Sequence, residues 1–260
     1  MRQVIGAEWA KLWSVRSTWW CLAGAAVLMV LSALTLGAST ATDLMREGVA
    51  AARFTASEPV VSATSFVQFA LVAPAMLMIT SEYASGSIRS TLQATPIRGR
   101  MLAAKALVAL PVMFVAGVLS GALATVAGYV VLSLDQFGGH AALPLGEVVL
   151  DLLRVGVFFA LISVMTLGVG TAMRNAAGTL TVAFMLLMGL PLMLLMAGGP
   201  AAIEVSLRMP LFAGLAFMGS TDNMTGGPIA YAAGEGLAWL LVWTAAAVAA
   251  GYAVLRRRDA

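Results

Sequence analysis

The sequence predicts an all-α integral membrane protein with six transmembrane helices, and three observations carry that prediction. Residues are 61% hydrophobic and only 10% charged over 260 positions, where a soluble domain carries about 25% charged residues. Mean hydropathy is +0.95. Six apolar runs recur along the chain, each near or above the roughly 20 residues that cross a hydrocarbon core of about 30 Å. No linker separates two soluble domains, so residues 1–260 read as one transmembrane domain.

Residues 2–17 precede the first run. Ile5, Trp9, Leu12 and Trp13 fall on one helical face, while Glu8, Lys11 and Ser14 point elsewhere. Tryptophans on the apolar side with basic residues around them suit an N-terminal helix lying in the membrane interface. Arg16 falls on the apolar face, so the helix ends or bends before it, or Arg16 snorkels. A cleaved signal peptide would need a shorter apolar region with a small-residue cleavage site; the run 19–38 is long enough to span.

The remaining spans are expected at about 61–81, 102–134, 148–173, 178–197 and 232–255. Pro74, Pro111 and Pro191 fall inside three of them, tolerated because neighbouring groups satisfy the freed carbonyls. Residues 39–60 and 135–149 read as loops, the latter holding Gly138-Gly139 and His140. Gly117, Gly121, Ala124 and Gly128 line one face of the third span, a pattern that permits close helix approach. Asp151 and Arg154, three apart, are placed to pair. Arg174-Asn175 makes a tight turn into the fifth span. Residues 203–218 are too interrupted to span but apolar enough to lie in the interface or dip into the membrane. Glu235 stands near one end of the sixth span.

Orientation follows from Lys and Arg. With both termini inside, the inside set is Arg2, Lys11, Arg16, Arg89, Arg98, Arg100, Lys105, Arg174 and Arg256 to Arg258, eleven of the 15. Arg46, Arg53, Arg154 and Arg208 fall outside. The asymmetry predicts a multi-pass protein of the cytoplasmic membrane with both termini in the cytoplasm.

Between the second and third spans lies EYASGSIRSTLQATPIRGRMLAAK, residues 82–105. It has the length and mixed character of a short helix open to a soluble partner. Gly86 relieves crowding where the span turns. Ile88 and Leu92, at i and i+4, suit a groove on a partner, and Arg89 suits a carboxylate. Pro96 stops the helix.

Several chemistries are excluded. His140 is the sole histidine, so multi-histidine metal sites and HExxH motifs are ruled out. No GxSxG elbow and no GxxxxGK[ST] loop are present, so nucleotide energy would have to come from another chain. Cys21 is the sole cysteine. The basic residues sit beside the spans and form no nucleic-acid-binding domain.

The pattern EWAKLWSVRSTWW, then TSEYASGSIRSTLQATPIRGRMLAAK, six spans and a terminal YAVLRRRDA resembles the type-2 ABC export permeases, over essentially the whole chain. Its most specific positions are Glu82, Tyr83, Gly86, Ile88, Arg89, Leu92, Pro96, Arg98, Arg100 and Lys105. The resemblance implies a membrane subunit with no catalysis of its own. A separate ATP-binding subunit would hold ATP and Mg, and a second permease chain would complete a homo- or heterodimer. It implies a coupling helix at Glu82 to Arg100 that contacts the ATPase, and an interfacial helix, with Glu8, Trp9, Lys11, Leu12 and Arg16, that braces it. It also implies a re-entrant element between spans five and six. The cargo would be amphipathic or hydrophobic, a drug, peptide antibiotic or lipid-linked molecule; no substrate-binding residue transfers. The alternatives are a non-transporting sensor or resistance partner of an ABC ATPase, and a membrane-embedded enzyme.

Overall fold

The computed structural model describes residues 1–47, 53–134, 137, 141–221, 225 and 229–257. His140, Gly138-Gly139, Asp222-Asn223 and Arg258 lie outside the described residues. The fold is all-α, and among the described residues six helices are long and apolar enough to cross a membrane.

The first helix, α1 (Arg2–Ser14), ends at Val15, whose backbone is extended at φ −92° and ψ 119°. Arg16 therefore opens the next helix, α2 (Arg16–Arg46), and does not belong to the N-terminal one. α2 also runs eight residues past the expected 38. The polar residues there keep helical geometry because Ser39 and Thr40 donate to Leu36 O, and Thr42 to Ala38 O, at 2.7–3.1 Å.

α3 (Glu58–Ser85) carries Pro74 without a break and stops at Gly86, which takes the left-handed φ of 73°. That conformation costs a residue with a Cβ about 1–2 kcal/mol and costs glycine almost nothing. α4 (Ile88–Ala94) follows, then Thr95 leaves the helical region at φ −133° and ψ 81° ahead of Pro96. α5 (Arg98–Leu132) contains Pro111, and α6 (Leu145–Met173) ends on Arg174 at φ 56°. Asn175 caps the next helix by accepting from Gly178 N at 3.0 Å, which makes the tight turn.

The fifth long helix is three segments in one: α7 (Ala176–Phe184), a π turn Met185–Gly189, and α8 (Leu190–Ala197). Pro191 explains the widening, because its ring crowds the carbonyl four residues back and it has no N–H to offer. That carbonyl, Leu187 O, instead accepts from the buried Gln68 side chain at 3.4 Å. α9 (Pro200–Leu207) and α10 (Pro210–Met218) meet at 64°, and Ser206 Oγ donates to Pro191 O at 2.6 Å. The last helix is α11 (Ala233–Arg257).

The core sits on α3 and α6, with α2, α5 and α11 packed around them. Gly117 and Gly121 let α5 close on α6: a Cβ at Gly117 would meet Phe159 at 2.8 Å, and one at Gly121 would meet Leu152 at 2.9 Å. The tightest seam is α6 with α11, where a Cβ on Gly168 would lie 2.6 Å from the Ala247 backbone and Gly251 abuts the Gly168 carbonyl. Phe158 and Phe212, both fully buried, close the middle of the bundle.

Each end of the bundle is tied separately. At one end, β1 (Phe54–Thr55) pairs parallel with β2 (Ala141–Ala142), joining two segments in which no strand was expected. Asp151 belongs to this end. It accepts from Ser57 Oγ at 2.6 Å, a bond that clamps α6 to the start of α3, while the charge of Arg154 also acts on it. The other end gathers both terminal helices, α4, the end of α3 and the start of α5.

Candidate functional site: a buried charge cluster under a short exposed helix

Lys105, seven residues into α5, is fully buried. A lone ammonium inside an apolar helix must be paired to stay charged. Its Nζ donates to Glu8 Oε2 at 2.6 Å, Glu82 Oε1 at 2.8 Å and Met78 O at 2.9 Å. Lys11 repeats the arrangement at the rim, reaching Glu82 Oε1 at 2.8 Å, Glu8 Oε1 at 3.1 Å and Thr91 Oγ1 at 3.4 Å. Each ammonium has three protons and each finds three acceptors. Two lysines and two glutamates sum to zero charge and join α1, α3, α4 and α5. Glu82 Oε2 alone in the cluster has no partner.

Burial lowers the proton affinity of Lys11, but the hydrogen bonds and charges of Glu82 and Glu8 outweigh it and hold its pKa above the ordinary 10.5. Lys11 stays charged at neutral pH and keeps its tie to α4.

This cluster adds Glu8 to the inner side of α1, where Ile5, Leu12 and Trp13 pack as expected. Glu8 and Leu12 are the buried residues, whereas Trp9 is half-exposed. Glu8 turns inward because Lys105 waits there. Lys105 is correspondingly no part of an open basic loop.

The short helix is held by the same end. Ile88 is 3% exposed and packs with Leu12, Ile79, Met101 and Leu102, so this chain itself covers it and it does not offer a partner the anchor expected of it. Leu92 is half-buried at the edge of that group. Arg89, Ser90, Gln93 and Ala94 are exposed. Tyr83 is half-buried, with the Arg174 guanidinium 5.3 Å from its ring centre, so it faces the α6–α7 turn. Arg98 is only half-exposed: it donates to Leu255 O and Arg256 O, ending α11. Arg100 and Pro96 are exposed.

Two hollows flank the cluster. One, about 350 Å³, lies between the α1–α2 bend and α3–α4 and is rich in hydroxyls, among them Ser14, Ser17, Ser81, Ser87 and Thr91. The other, about 400 Å³, is an open cleft between α1 and α4 lined by Val4, Ala7, Ser90 and Ala94. Among the described residues, no three His, Cys, Asp or Glu side chains converge to hold a metal ion. The arrangement backs an exposed helix face and cleft with buried charges that tie α1 to two long helices, α3 and α5.

Compared with models of known protein families and with curated proteins, the sequence matches none.

Proposed function

We propose that this chain is the membrane subunit of an ATP-driven exporter of the type-2 ABC class. It would move an amphipathic or hydrophobic molecule across the cytoplasmic membrane with a separate ATPase subunit and a second permease chain. The observation that carries the reading is α4. It is a seven-residue helix framed by Gly86 and Pro96, exposed along Arg89, Ser90, Gln93 and Ala94, and wired through Lys11 and Ile88 to α1, α3 and α5. A sequence that needed only positive charge to fix orientation would not require a framed helix with a buried anchor.

In this reading α4 is the coupling helix and α1 the interfacial helix that braces it. Both termini and residues 82–105 face the cytoplasm, and the bent pair α9–α10 lies on the far side. ATP closes the partner's two copies, the cleft between α1 and α4 is pushed, and the charge cluster carries the displacement into α3 and α5. ATP shifts the permease between its states by binding them unequally.

The test is capture of the tagged chain from its membranes in mild detergent, followed by identification of what remains bound. A stoichiometric ATP-binding subunit is expected. Arg89→Glu with Gln93→Glu should weaken its retention at least about tenfold while insertion is unchanged. A chain that comes down without an ATPase in several detergents, or retention indifferent to both substitutions, overturns the proposal.

A further inference from the structure

On the face of α5 turned away from α6, a groove of about 370 Å³ runs between the α1–α2 bend and α5. Its walls are Leu22, Ala26, Val112, Val115, Leu119 and Leu123, under Trp9, Trp13 and Trp19. We infer that it is a binding site for one acyl chain of an anionic phospholipid, whose phosphate sits at Arg16. This inference does not depend on the transporter reading.

The walls identify the occupant's body. Ser120 is the one hydroxyl in the lining, and it already donates to Gly117 O at 3.2 Å. Below the indoles at its mouth, the groove therefore has no free side-chain donor among its lining residues. An extended peptide would bury backbone groups without partners there, at a cost of several kcal/mol per group. A hydrocarbon chain has none to satisfy.

The length fits as well. Pro111 to Leu123 is thirteen residues of helix, twelve rises of 1.5 Å or about 18 Å, close to the roughly 15 Å depth of one leaflet. The groove starts at the end that carries both termini and finishes near the middle of the bundle.

The mouth identifies the headgroup. Trp13 packs against Trp9 at 5.9 Å and against Trp19 at 4.8 Å between ring centres. The Trp19 indole N–H donates to Trp13 O, which fixes the clasp across the α1–α2 bend. Such indoles sit at the level of lipid headgroups. Arg16 lies in that bend, one turn before Trp19 on α2 and exposed, with no ion pair among the described residues. A guanidinium matches a phosphate through paired N–H donors, and a basic residue at this level favours an anionic over a zwitterionic lipid by about fivefold.

The experiment is native mass spectrometry of the full chain released from nanodiscs made of equal phosphatidylglycerol and phosphatidylcholine. It is read beside tryptophan quenching by phosphatidylglycerol with brominated chains. One retained phosphatidylglycerol per chain is expected. Arg16→Gln should lower its retention about fivefold, and Arg16→Lys should restore most of it. Ala26→Phe, which fills the groove, should relieve the quenching while Arg16→Gln leaves the unfolding midpoint unchanged. Equal retention of both lipids, indifferent to Arg16→Gln, means annular lipid only and overturns the proposal. So does a dimer cross-linked through Leu119→Cys with lipid excluded.

Discussion

Replacing Lys105 by methionine would leave Glu8 and Glu82 with Lys11 at the rim as their one shared cation, and their buried side without a counter-charge. Breaking a buried pair from one side costs about 3–5 kcal/mol, so the unfolding midpoint in detergent should fall sharply. Lys105→Met combined with Glu8→Gln and Glu82→Gln removes the charges together and should recover most of the loss; a triple variant no better than the single one would refute the pairing. Lys11 adds a pH dependence whose sign is fixed. Its folded pKa lies above its ordinary 10.5, so its contribution is fully present below 10.5 and is lost as pH rises through the folded value. The difference in midpoint between wild type and Lys11→Met should therefore be flat through neutral pH and shrink only in strong alkali. The cluster was partly legible. A single lysine in the run MLAAKALVALP demands a partner, but its partners stand 97 and 23 positions earlier, a separation that periodicity cannot bridge. Apolar periodicity placed Ile5, Leu12 and Trp13 of α1 on the packed side, but it counted Glu8 as a surface residue.

α4 shows what local signals do specify. Gly86 and Pro96 bracket it in the sequence, and the helix ends at Ala94 with Thr95 outside the helical region before the proline. Gly86→Ala would force a Cβ into a left-handed turn and should cost about 1–2 kcal/mol, read as a lower unfolding midpoint; no change would mean the turn relaxes freely. Its buried side was not legible, since Ile88 and Leu92 look alike in an i, i+4 pair and only the packing of α1 and α5 decides that Ile88 is enclosed. The six long helices were readable from hydropathy, with ends shifted by a few residues. The first shifted by eight, because serine and threonine hydroxyls that bond back to the helix disguise a helical end as a loop. The π turn is the reverse case: Pro191 announces a disturbance, but Gln68, which repairs it from α3, carries no such mark.

At the scale of the molecule, the segregation of charge to the two ends makes orientation testable. In a Cys21→Ala background, Glu147→Cys should react with a membrane-impermeant maleimide in intact cells, and Arg89→Cys only after permeabilisation. The opposite pattern would invert the arrangement and remove the cytoplasmic placement of α4. The seam between α6 and α11 has a further consequence. Gly168 and Gly251 bring the two backbones together so closely that no methyl group fits between them. A hydrocarbon tail cannot pass sideways between the two helices there. Under the exporter proposal, a lateral door would have to open on another flank, and α6 and α11 would swing as a single leaf.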